Sequence, residues 1–136
     1  NNSMGNYVAQ QVIDKMRSVG CQLEQAKVLI LGFSFKVNCS DIRNTKVIDI
    51  YTALTDSNIS VEIYDPLVDK IKVRAQCNVE LSTQLFLKTY DVIILAVKHH
   101  FFEDLDLRSY LSKKGFVYSL QNNELMSSYD IEASHE

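Results

Sequence analysis

The sequence predicts an α/β fold: a doubly wound parallel sheet of about five strands, Rossmann-like, preceded by one helix. Three observations predict it. Strand-length apolar runs alternate with helical patterns, and that alternation implies parallel pairing with right-handed crossovers. Val92–Val97 is six continuous apolar residues, as expected of a strand buried on both faces. Val28–Leu31 is an apolar run closed by Gly32; a short polar loop and then an amphipathic helix follow. That is a strand–loop–helix unit of the nucleotide-binding kind.

The elements follow in order. Met4, Val8, Val12 and Met16 recur every fourth residue, with Tyr7, Ala9, Ile13 and Val19 widening the stripe. This is one face of a helix that ends near Gly20. The first strand is Val28–Gly32. Its following helix buries Val47, Ile50, Tyr51 and Leu54, takes Ser40 or Asp41 as N-cap, and breaks at Asp56-Ser57-Asn58. The second strand is Ser60–Tyr64, stopped by Pro66. A short helix spans Val68–Gln76, a brief third strand Asn78–Leu81, and a helix capped by Ser82 runs to Tyr90. The fourth strand is Val92–Val97. A helix over Leu107–Lys114 stops at Gly115, and Phe116–Leu120 is the last strand. Residues 121–136 are polar and are assigned no element. The expected sheet order is 3-2-1-4-5, with its switch point between strands one and four. Ligands of such sheets bind beyond the C-terminal strand ends at that crevice. The loops 33–40 and 98–102 meet there.

Bulk properties narrow the function. A chain of 136 residues fits one domain, and 46% hydrophobic residues can furnish its core. The net charge of −3, with both signs interspersed, argues against a nucleic-acid surface. No apolar run reaches membrane-spanning length and no signal peptide opens the chain. The chain begins inside a helical pattern, so an excised fragment is expected. Cys21, Cys39 and Cys77 are odd in number and form no C-x-x-C pair. They read as reduced, small hydrophobes. A nucleophilic Cys39 would need an activating base, and no histidine is near it in sequence.

The candidate site residues cluster at the crevice. G-x-G-x-x-G is missing, because only Gly32 is present, so an anion here must be held by side chains and a helix N-terminus. Lys36 can meet a phosphate or a carboxylate as a mobile point charge, or be a solvated loop lysine. Arg43 falls in the predicted first helical turn, where a cation opposes the helix dipole by roughly 0.3–1 kcal/mol. Such a local conflict invites a functional explanation; an Asp41–Arg43 surface pair is the plainer one. Asp65 reads mostly as a turn residue before Pro66. His99 and His100 are adjacent, and two neighbouring histidines rarely face one metal, so no metal is assigned.

These residues carry a resemblance. Gly32-x-x-Phe35-Lys36 followed by Asp41-x-Arg43-Asn44-Thr45 resembles the C-terminal domain of the UDP-glucose/GDP-mannose dehydrogenase family. Tyr64-Asp65-Pro66, the Asp91–Val97 strand with His99, Phe102, Leu105 and Asp106 after it, and Asn1, Met4, Tyr7, Val8 and Ala9 extend the likeness over roughly residues 1–120. The resemblance implies oxidation of the sugar C6 hydroxyl of a nucleotide sugar to a carboxylate with two NAD. It implies that residues 1–20 end a central linker and dimerisation helix, and that 21–136 form the UDP-sugar-binding domain. Phe35 and Lys36 would contact the nucleotide sugar, Arg43 would reach NAD held mainly by an N-terminal domain, and Asp41 would orient Arg43. His99 would hydrogen-bond within the crevice. Where the family shows an acid and then a base that helps hold the nucleotide sugar after the last strand, this chain has Ser119 and Gln121; as a substrate-binding residue Gln121 can hydrogen-bond but cannot neutralise a phosphate. The family's NAD fingerprint and catalytic cysteine would lie upstream of Asn1, so this chain alone is expected to be inactive. The full enzyme would be a cytoplasmic homodimer, and the wording around Asn38–Thr45 is nearest to enzymes acting on UDP-N-acetylhexosamines for bacterial surface polysaccharides. The alternative is a free-standing doubly wound nucleotide-binding or regulatory module without catalysis.

Overall fold

Five strands make one sheet in the order β2-β1-β3-β4-β5. The computed structural model describes residues 4–34, 46–120 and 124–127. In chain order the elements are α1 (Met4–Ser18), β1 (Lys27–Leu31), α2 (Val47–Asp56), β2 (Ser60–Tyr64), α3 (Lys70–Cys77), β3 (Tyr90–Leu95), α4 (Leu107–Tyr110), β4 (Leu111–Ser119) and β5 (Glu124–Ser127). Short 3-10 turns lie at Leu23–Gln25 and His100–Asp104. The pairs β1–β2, β1–β3 and β3–β4 are parallel; β5 pairs antiparallel with β4.

The continuous apolar character of β1 and β3 reflects cover on both faces. Val28, Ile30, Val92, Ile94, Phe116 and Tyr118 point to a core built with α1, α2 and α3. The alternate residues Leu29, Leu31, Ile93 and Val117 point to a second core with Phe102, Leu107 and Leu111. The period-2 side-chain alternation of a strand divides them. The α1 stripe, Val8, Ala9, Val12, Ile13 and Met16, is buried in the first core. At Gly5 helix α1 crosses α2 so closely that a Cβ would overlap the Asp49 backbone.

Three expectations need correcting. Asn78–Leu81 is not a strand. Val79 and Leu81 are buried, but the segment's one backbone tie to the sheet comes just after it, from Ser82 N–H to Ile63 C=O at 2.8 Å. The order 3-2-1-4-5 therefore loses its first member, and its remaining order is kept. Ser82–Tyr90 is not helical: Leu85, Phe86 and Leu87 are consecutive apolar residues without helical spacing, Phe86 and Leu87 are exposed, and Lys88 has φ 52°. The expected helix over Leu107–Lys114 stops at Tyr110. Leu111 already pairs with Tyr90, and the register then shifts so that Val92 pairs with Phe116. The last strand thus begins at Leu111, with an irregularity that takes up 112–115. The antiparallel β5 lies in the segment assigned no element.

The ends of the other elements follow expected chemistry. Asp69 caps α3 through Ile71 N–H and Lys72 N–H at 2.9 and 3.3 Å. After α2, Asn58 takes a left-handed φ of 64°, as the Asp-Ser-Asn break implies. The expected N-caps Ser40 and Asp41 lie outside the described residues, and the described helix starts at Val47.

Candidate functional site

The C-terminal ends of β1, β2 and β3 converge where the strand order reverses, between β1 and β3. Gly32 closes β1 with φ 100°, and a Cβ there would stand 2.6 Å from Val97 Cβ and 2.8 Å from Val97 N. Only glycine allows that backbone and that approach. The two strand exits are also tied directly: Ala96 and Val97 N–H donate to Leu31 C=O at 3.0 and 3.2 Å, and Gly32 N–H donates to Tyr64 C=O at 3.0 Å.

Beyond this junction sits a buried polar cluster of Ser34, Asp65 and His99. Asp65 Oδ2 accepts from Phe33 N–H at 2.7 Å and Ser34 N–H at 3.1 Å. His99 Nε2 lies 2.9 Å from the same oxygen and 3.3 Å from Ser34 Oγ. Asp65 Oδ1 accepts from Leu67 N–H at 3.0 Å. With a carboxylate as acceptor, Nε2 carries the hydrogen. Aromatic rings wall the imidazole: Phe101 stacks on it at 5.8 Å between centroids, and Phe102 lies tilted at 5.4 Å. A serine, a histidine and an aspartate invite comparison with a nucleophilic triad. The geometry rejects it, because Ser34 and Asp65 share one ring nitrogen, whereas a triad histidine holds its acid and its nucleophile on opposite nitrogens.

The expected site residues distribute unevenly over the structure. His99 follows β3, with its Nε2 2.9 Å from Asp65 Oδ2. Phe35, Lys36, Asp41, Arg43 and Gln121 lie outside the described residues, as does Cys39. The turn expected at Asp65 is the bond from Leu67 N–H to its Oδ1. Its larger part, holding Phe33 and Ser34 just after β1, is played by Oδ2, and the sequence signal for it is an acid at the end of a strand flanking the switch point. No sequence pattern marks Ser34. Ser119, at the end of β4, is fully buried and its hydroxyl finds no partner among the described residues.

Other features lie elsewhere. Cys21 and Cys77 are free and half-buried. Burial, then the charge of Asp91, pushes the Cys21 thiol up, with Lys114 pulling the other way, so it is not a ready nucleophile. Among the described residues no group of three or more His, Cys, Asp or Glu side chains could hold a metal ion, and no helix is long and apolar enough to cross a membrane. At the opposite end of the sheet, Lys88, Arg108, Leu111, Ser112 and Lys113 line an open groove of about 410 Å³.

Comparison with known proteins places this geometry. The model of the UDP-glucose/GDP-mannose dehydrogenase family, UDP binding domain, matches residues 29–123. That span runs from β1 through all of β4. The chain belongs to this family. It is 40% identical over 124 residues to UDP-N-acetyl-D-glucosamine 6-dehydrogenase of Salmonella typhi, covering 89% of this chain and 29% of that protein. It is 37% identical over 105 residues to the enzyme of the same name from Pseudomonas aeruginosa, covering 77% and 25%. The chain thus spans under a third of the length of these relatives. In fold it is similar to UDP-D-ManNAc dehydrogenase from Pyrococcus horikoshii, with a TM-score of 0.69 at 18% identity over 85% of this chain and 26% of that one.

Proposed function

We propose that residues 21–136 are the UDP-sugar-binding domain of an NAD-dependent UDP-sugar 6-dehydrogenase, and that residues 1–20 end its central linker and dimerisation helix. The observation that carries this reading is the family match over 29–123, laid on a sheet whose strand order reverses between β1 and β3. The substrate is a UDP-N-acetylhexosamine, by likeness to the named relatives, and the product a uronic acid for surface polysaccharide.

Lys36 supplies the cation for the nucleotide sugar and Phe35 packs beside it. Gln121 offers hydrogen bonds without charge, so more of the phosphate binding falls on Lys36. The β1 loop has Gly32 as its one glycine and so no backbone cradle for a dinucleotide pyrophosphate. NAD, which would take up hydride twice per sugar, therefore sits mainly on a preceding domain, with Arg43 reaching across to it and Asp41 orienting the guanidinium. The nucleophilic cysteine of the second oxidation also belongs to that preceding part. The complete enzyme is a cytoplasmic homodimer. The test is a protein extended to include the preceding domains, supplied with NAD and UDP-N-acetylglucosamine. Two NADH per sugar oxidised is expected from it and none from the 136-residue chain. An extended protein that binds UDP yet oxidises no UDP-sugar would return the domain to a non-catalytic binding module.

A further inference from the structure

We propose that Asp65 and His99 are positioning residues for nucleotide binding: through one shared carboxylate they lock Phe33 and Ser34, just after β1, to His99, just after β3. This rests on the nucleotide-sugar reading above, and it adds a role that neither residue has there. The carboxylate accepts four hydrogen bonds, from Phe33 N–H, Ser34 N–H, Leu67 N–H and His99 Nε2. None of these donors belongs to a strand ladder or a helix. They come from the chain just after β1, after β2 and after β3, so one side chain joins three successive exits at the switch point.

The cost of such a group indicates its purpose. Asp65 is 3% exposed and His99 is 0% exposed. Burying an ionised carboxylate carries a large desolvation penalty that only good partners offset. Neither Asp65 nor His99 is a member of either apolar core. What the carboxylate does determine is the direction in which the backbone leaves Ser34. Phe35 and Lys36 are the next two residues in the sequence. The same oxygen fixes His99, and the stacked Phe101 follows the imidazole. Binding constellations need such support, because a site left about 1 Å too loose fails even when its residues are present.

Substitutions separate positioning from simple stabilisation. His99→Gln keeps an N–H donor within reach of Asp65; His99→Leu removes it; Asp65→Asn replaces a full acceptor by an amide. UDP binding to this chain is measured by calorimetry at a temperature where urea melts show each variant folded, together with amide exchange of Phe33 and Ser34 without ligand. The expected result is roughly tenfold weaker UDP binding and faster Phe33 and Ser34 exchange in His99→Leu and Asp65→Asn, with most of both recovered in His99→Gln. If Asp65→Asn does not fold, the two His99 variants decide. Folded His99→Leu with wild-type affinity or unchanged exchange would overturn the proposal, as would equal losses in the Gln and Leu variants. A wild-type chain that binds no UDP would instead overturn the nucleotide reading itself, and this proposal with it.

Discussion

Replacing Gly32 by alanine perturbs the point where the first strand enters the site. Two costs add there. A φ of 100° lies in the left-handed half of backbone space, which costs an L-residue about 1–2 kcal/mol. The new Cβ would also meet Val97 atoms at 2.6–2.8 Å, well inside contact, and such overpacking costs about 1–3 kcal/mol. The stiffer unfolded chain returns about 0.4–1 kcal/mol. The net loss is about 1–4.5 kcal/mol. For 136 residues at about 2.1 cal/mol/K each, 1 kcal/mol moves Tm by about 3.5 °C, so a fall on the order of 10 °C is expected. Urea and thermal melts measure it, and two further variants divide it. Gly20→Ala has the strain, at φ 82°, with only the end of the Lys114 side chain near, Nζ at 3.4 Å, so it should lose about 0–1.6 kcal/mol. Gly5→Ala has an overlap, with Asp49, in a helical backbone. Gly32→Ala no less stable than Gly20→Ala would refute the reasoning, because the Val97 approach would then impose nothing.

Three other outcomes are expected. Lys36→Ala should weaken UDP-sugar binding by roughly tenfold or more through one lost charge-assisted contact, with stability within about 0.5 kcal/mol of wild type; titration calorimetry and melts on one sample read both. Tyr118→Phe should raise stability by about 1 kcal/mol, because the buried Tyr118 hydroxyl has no partner among the described residues; a loss of that size in urea melts would show that the hydroxyl is satisfied. Stability should also fall as pH rises above about 10, the ordinary phenol value. Burial first, then the hydrogen bond to Glu62 at 2.8 Å, pushes the Tyr90 phenol up, and burial does the same to Tyr118. In that range the unfolded chain gives up phenol protons that the folded chain keeps, so the folded state binds more protons and loses ground as pH rises. Urea melts between pH 8 and 11 should show this loss reduced in Tyr90→Phe, and an equal loss in the variant would contradict the assignment.

Much of the fold could be read from local pattern. The runs at 28–31 and 92–95 are apolar without a break because helices or loops cover both faces of those central strands, and the α1 and α2 stripes are spaced as their burial requires, except that Tyr7 is exposed and Tyr51 is only partly buried. The errors came where tertiary context overrode short stretches. Val79 and Leu81 alternate like a strand yet are buried as loop, and Leu111 ends a helical-looking segment because the edge of β3 offers it a pairing partner. At the site, His99 was recognisable through its motif. Asp65 was not, because its partners are two backbone N–H groups 31 and 32 residues away and an imidazole 34 residues away. No local pattern encodes such contacts. Ser34 was hidden for the same reason.

The central claim is that a UDP-sugar is held at the switch point between β1 and β3. Amide shift mapping of this chain during titration with UDP-N-acetylglucosamine tests it directly. The account predicts that the largest changes fall on Gly32–Ser34 and Val97–Phe101, at the C-terminal strand ends, and that they saturate together with one affinity. Changes centred on Lys88, Arg108 and Lys113, in the basic groove at the other end of the sheet, would contradict it, and so would a spectrum that does not respond at millimolar ligand.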